Sequence, residues 1–167
     1  VGLAGYEEIR QDFRRRIIEL KQKRRISLGD RVSLVFENRD TVIFQVQEML
    51  RVERITDLDK IRHEIATYNQ LIPDSGELSA TLFLEIEDQT DLREELVKFQ
   101  GIEEAISLRI AAHRLPAHFE PGRSKEDKLS AVQYIRFRFD DQALEAFISG
   151  ARAELVIDHW NYQAAVV

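Results

Sequence analysis

The sequence predicts an α+β fold: a mainly antiparallel sheet of about five strands, with helices packed largely on one face. Three observations predict it. Apolar residues recur at every third or fourth position through residues 4–72, and they alternate in twos through residues 78–160. No glycine-rich strand-to-helix turn of the dinucleotide-binding kind occurs. A length of 167 residues suits one domain over 1–167, large enough to bury a core without disulfide or metal staples.

Tyr6, Ile9, Phe13, Ile17 and Leu20 form one stripe of a first helix that runs to about Arg25. Ile26–Leu28 with Gly29–Asp30 reads as a turn, and Arg31–Glu37 as a strand with Val32, Leu34 and Phe36 on one side. Asp40 or Asn38 caps a second helix, Thr41 to about Ile55, whose many apolar residues predict burial over much of its circumference. Asp57 caps a third helix carrying Leu58, Ile61, Ile65, Tyr68 and Ile72, and Pro73 and Gly76 turn the chain after it. Leu78–Ile86 alternates as a half-buried strand. Asp88–Thr90 opens a short helix with Leu92, Leu96 and Phe99 inward and Gly101 at its end. Ile106, Leu108 and Ile110 mark a strand, followed by a charged loop at 120–128 and a strand in Ala131–Asp140 that directs Ile135, Phe137 and Phe139 one way. Gln142–Ser149 is helical up to Gly150, and Ala153–His159 is the last clear strand.

Composition narrows the chemistry. With no cysteine, the chain itself offers no disulfide, thiolate nucleophile, zinc ribbon or iron–sulfur ligand. No apolar run approaches the roughly 20 residues of a membrane helix, and Glu7, Glu8 and Arg10 follow too early for a signal peptide. The expected location is the cytoplasm. No nucleophile elbow, phosphate loop, zincin helix or kinase signature is present.

Three polar groupings remain. Glu37, Asn38, Arg39 and Asp40 meet at a strand-to-helix junction, with Gln45 and Glu48 on a shared face of the following helix. Capping explains them if Asp40 caps, Asn38 turns the chain and Arg39 pairs with Glu37. A ligand pocket is the functional alternative. Glu37, Glu48, Asp158 and His159 are the residue types of a metal or acid–base site, although Asp158 and His159, as strand neighbours, point to opposite faces. His63, His113 and His118 show no ligand spacing, and the ExxH pattern of di-iron bundles is absent. The segment Arg14–Arg25 holds seven bases against one acid, which could bind phosphates. A net charge of −6 favours an ion-paired, solvated face instead. Arg136 and Arg138, with Tyr134, form a smaller basic sheet face that would suit an acidic partner or be ordinary surface.

The run ENRDTVIFQVQEMLRVERI at Glu37–Ile55 resembles the signature of a bacterial domain-of-unknown-function family, number thirty-five-oh-one. YNQLIPDSGELSATLFLEI (Tyr68–Ile86), SAVQYIRF (Ser130–Phe137) and LVIDHWNY (Leu155–Tyr162) resemble it too, apart from Trp160, where the family pattern has Pro. The resemblance supplies no catalytic residues. Its genomic associations imply a link to redox or peroxide metabolism, with a rubrerythrin-like or iron–sulfur oxidoreductase protein as partner. The leading expectation is therefore a non-catalytic accessory or protein-interaction domain, homo-oligomeric, with no cofactor evident. A metal-dependent enzyme or small-ligand binder using the Glu37–Glu48 cluster is the first alternative. A nucleic-acid binder using Arg14–Arg25 is the second.

Overall fold

A computed structural model describes residues 2–86, 91–120 and 131–167. The elements follow in the order α1 (Leu3–Arg24), β1 (Arg25–Ser27), β2 (Val32–Phe36), α2 (Arg39–Val52), α3 (Leu58–Asn69), β3 (Glu77–Leu84), α4 (Leu92–Val97), β4 (Ile106–Ile110), β5 (His113–Pro116), β6 (His118–Phe119), β7 (Val132–Arg138), α5 (Asp141–Ile148), β8 (Ala153–His159) and β9 (Tyr162–Val166). The fold is α+β with every strand pair antiparallel, as expected. The strands divide between two sheets, ordered β1-β2-β3-β7-β6 and β5-β4-β8-β9.

Alternation in the strands explains how the sheets meet. Leu34, Ala80, Leu82, Ile135 and Phe137 point from the five-stranded sheet into one core with Ile106, Leu108, Ile110, Leu155 and Ile157 of the other. Each of the larger side chains among them, fully buried, contributes about 1.5–3 kcal/mol. Register places Leu34 beside Leu82 and Leu108 beside Leu155, so large residues meet at the same level. At one edge the chain passes from β5 directly into β6, changing sheets at Ala117, whose N–H donates to the Ile106 carbonyl. At the opposite edge Tyr162 of β9 reaches the β1–β2 turn. Its hydroxyl donates to the Leu28 carbonyl (2.7 Å) and accepts from the Arg31 N–H (3.0 Å). Gly29 in that turn has φ +77°, and a Cβ there would lie 2.2 Å from the Tyr162 hydroxyl. Only glycine satisfies both demands.

The outer face of the five-stranded sheet lies under α1 and α2. It is the reason Leu78–Leu84 departs from expectation: Ser79 and Thr81 are buried along with Ala80 and Leu82, so β3 is covered on both faces. Other differences are local. Ile26 and Ser27 belong to β1, because they pair with Leu34 and Ser33, and the turn comes after them. Asn38, not Asp40, caps α2 in a reciprocal box with Thr41. That helix stops at Val52, where Arg54 turns to a φ of 52°, and it buries one side only, leaving Ile43 and Val52 exposed. Ile9 lies off the buried stripe of α1, which is led by Tyr6 and Ile17. Strands β5, β6 and β9 add to those expected. The helix opening at Asp88–Thr90 and most of the loop at 120–128 lie outside the described residues.

Candidate functional site

The junction between β2 and α2 is tied off internally. Glu37, only 4% exposed, accepts a hydrogen bond from Thr81 Oγ1 (2.7 Å) and another from Thr41 Oγ1. It does not pair with Arg39, which projects into solvent, as does Asp40. Asn38 Oδ1 accepts from the Thr41 N–H (3.0 Å), and the Asn38 N–H donates to Thr41 Oγ1 (3.0 Å). One threonine thus serves both the cap and the buried carboxylate. Gln45 Nε2 reaches Tyr134 Oη at 3.5 Å, across to β7.

Glu48 faces away from this group toward α1. Its Oε1 accepts from Tyr6 Oη (2.7 Å) and Arg10 Nε (2.8 Å), and its Oε2 from Arg10 Nη2 (3.0 Å). The bidentate Arg10 holds the Glu48 carboxyl below the usual carboxylate range. Burial first, and then Glu48, pushes the Tyr6 phenol above its ordinary range. Of the six clustered residues, Asn38 thus caps a helix, Glu37 joins a buried hydroxyl network and Glu48 makes an interhelical clasp, while Arg39 and Asp40 face solvent and Gln45 reaches toward β7.

His159 and Asp158 diverge as strand neighbours must. His159, 3% exposed, lies within 2.7 Å of the Gln100 carbonyl through Nε2, and its Nδ1 accepts from the Asn161 N–H (3.3 Å). The Asn161 donor requires a bare Nδ1, so Nε2 carries the proton given to Gln100. The imidazole fastens the segment after α4 to the β8–β9 hairpin. Asp158 is exposed and accepts from Gln163 Nε2 at 3.4 Å. Trp160 sits 77% exposed in the two-residue hairpin turn, its ring 5.4 Å from that of His159. Among the described residues, no three acid or imidazole groups converge as a metal-holding cluster.

The basic helix spreads its cations among different duties. Arg16 lies over Phe13, Lys21 over Phe44 and Arg25 over Phe83. Arg136, on the smaller basic face, is bound to Glu77 (2.7 Å) and Glu120 (2.9 Å). Burial disfavours ionised Glu77, but the hydrogen bond and charge of Arg136 outweigh it and lower the carboxyl's pKa.

An open concavity with an apolar lining lies elsewhere, at one end of the space between the sheets. A cavity of about 340 Å³ is bounded by Ile26, Phe36, Leu78, Leu108, Leu155 and Val166, with Phe147 of α5 at its mouth. Lys23 and Arg24, the last cations of α1, stand on its rim. The sequence places Phe36, Leu78, Leu108 and Leu155 on the alternating sides of strands, Ile26 in a turn and the two cations on a solvated face. The available signal was the change at Arg25 from helical to alternating period, which sets the end of a basic helix against the end of a sheet.

Among described residues no helix is long and apolar enough to cross a membrane. None of the curated proteins compared with the chain matches it. A crystal structure at 1.90 Å of a novel protein of unknown function from Burkholderia pseudomallei K96243 is similar over 100% of this chain and 90% of its own, with a TM-score of 0.92 and 32% identity. The whole chain, residues 1–167, also matches the family described as protein of unknown function (DUF3501), and it belongs to that family.

Proposed function

We propose that this chain is a non-catalytic binding protein that holds a small, largely apolar molecule between its two sheets. The observation that carries this reading is the cavity of about 340 Å³ lined by Ile26, Phe36, Leu78, Leu108, Leu155 and Val166. Ligand sites are concave, mostly apolar and of roughly 300–1,000 Å³. Polar groups of the types that serve catalysis are spent on architecture: Glu37 on two threonines, Glu48 on Tyr6 and Arg10, His159 on backbone groups. A protein that holds a molecule without transforming it serves another that does, so an accessory role beside a partner fits this reading. A redox protein as that partner rests on the family resemblance alone.

The test is titration with a neutral, environment-sensitive dye such as Nile red. Saturable one-to-one binding is expected, lost in Leu78→Trp, which fills the cavity, and kept in Ile148→Trp, where the added ring points to solvent. Thermal melts confirm that both variants fold. No saturable binding by the wild type, or equal binding by a folded Leu78→Trp, would overturn the proposal.

A further inference from the structure

Resting on that reading, we infer that the ligand is an amphiphile with an anionic head, in the class of a medium-chain fatty acid, and that Lys23 and Arg24 hold the head. Lys23 and Arg24 lie side by side at the rim of the cavity. Arg24 donates from Nε to the Phe36 carbonyl (2.8 Å) and from Nη2 to the Glu37 carbonyl (3.1 Å). Both acceptors are uncharged, so they orient the guanidinium without neutralising it. The pair of N–H groups formed by Nε and Nη2 is consumed. The end-on pair, from Nη1 and the second Nη2 hydrogen, remains to grip a carboxylate with two parallel hydrogen bonds.

Among the described residues, Lys23 and Arg24 share the lack of a carboxylate partner with other cations such as Arg14, Arg39 and Arg109, but they are the two that line the cavity. The chain has 30 acidic residues against 24 lysines and arginines. Arg10, Arg31, Arg51 and Arg136 each find a carboxylate. Among the described residues no carboxylate lies within 4 Å of Lys23 or Arg24. The end of α1 attracts cations through its own dipole, which accounts for a basic last turn but not for an apolar cavity beneath it. A charged head gains little by following its tail into that lining, because the apolar side chains of Ile26, Phe36, Leu78, Leu108 and Leu155 would not repay its lost hydration. The tail must enter and the head must stop at the rim, where two cations wait. A cavity of about 340 Å³ lies in the size range of small-ligand sites, so a ten-carbon chain is a suitable probe of it.

Three probes of one length separate head from tail: decanoate, 1-decanol and decyltrimethylammonium, each displacing the neutral dye at low ionic strength and below its aggregation limit. Decanoate is expected to bind at least ten times more tightly than decanol, and the ammonium most weakly. Lys23→Gln with Arg24→Gln should bring decanoate to within about twofold of decanol while leaving decanol unchanged. Lys23→Gln alone, at an exposed position, should lose part of the preference even if the double variant folds poorly. Equal binding of acid and alcohol by the wild type, or an acid preference that survives in the variants, would overturn the head assignment and leave the apolar site standing. If no probe displaces the dye, the cavity reading itself falls, and this inference with it.

Discussion

The two faces of the five-stranded sheet solve opposite problems. The outer face, under α1 and α2, is rich in polar groups that are mostly paired: Glu37 is bound by Thr41 and Thr81, Ser79 Oγ donates to the Leu71 carbonyl at 2.6 Å, and Arg136 lies between Glu77 and Glu120, whereas Gln47 Oε1 of α2 is buried without a partner among the described residues. The inner face is apolar and packed against the second sheet, yet it is the one left open at an end. Polar clustering in this chain therefore marks where helices are fastened to strands. Room for a visitor occurs where the side chains carry little polarity of their own.

The comparison can be sharpened by removing one element from each face. Phe137→Ala should be the most damaging, because Phe137 is fully buried between the sheets. A loss of about 3–5 kcal/mol is expected, read as a fall in the urea midpoint. A loss below 1 kcal/mol would mean the interior is not the main source of stability.

On the outer face Glu48→Gln should cost less, about 1–3 kcal/mol at neutral pH, since it weakens charge-assisted bonds from Arg10. It should also change the response to acid. Folding holds this carboxyl below its usual value near 4.5, first through the Arg10 hydrogen bonds, and so favours the ionised form. The stability it adds is complete above that value and drains away as pH falls through the lower, folded-state pKa. Urea midpoints measured from pH 7 to pH 2.5 should drop less steeply in the variant than in the wild type. Identical slopes would detach Glu48 from acid sensitivity.

The smallest effects divide the junction residues from one another. Asn38→Ala removes a helix cap and should cost about 1 kcal/mol. Arg39→Ala, one position along and exposed, should stay within about 0.5 kcal/mol. A thermal melt of each separates them. Equal losses would show that the junction depends on charge and not on the cap.

Local pattern made much of this fold legible. Alternation at Leu78–Leu84, Ile106–Ile110 and Ile135–Phe137 shows which side chains enter the core, because period two survives whatever the strand pairs with. Asp57 is legible as a cap for the same reason: the N–H donors that its carboxylate accepts from lie two and three residues away, at Asp59 and Lys60. Strand β5, His-Arg-Leu-Pro, hides its single buried leucine among polar residues and a proline, and β6 has only two residues. In β9, Tyr162, Ala164 and Val166 do alternate, but two alanines weaken the contrast. Site geometry was harder to read. Thr81, a partner of Glu37, lies 44 residues from it in the chain, and the cavity draws its wall from several separate elements. Divergence of Asp158 and His159, a matter of adjacent positions, was readable at once.

The hydroxyl of Tyr162 meets the carbonyl of Leu28 across 134 positions of chain. During synthesis, which proceeds from the amino terminus, that fastening cannot form until nearly all of these residues have been translated. The interior between the sheets thus begins with a side unzipped, and Leu28 waits for its tyrosine partner until β9 has been made. A ligand or chaperone with an affinity for oily surface would meet that interior first in its unfinished form.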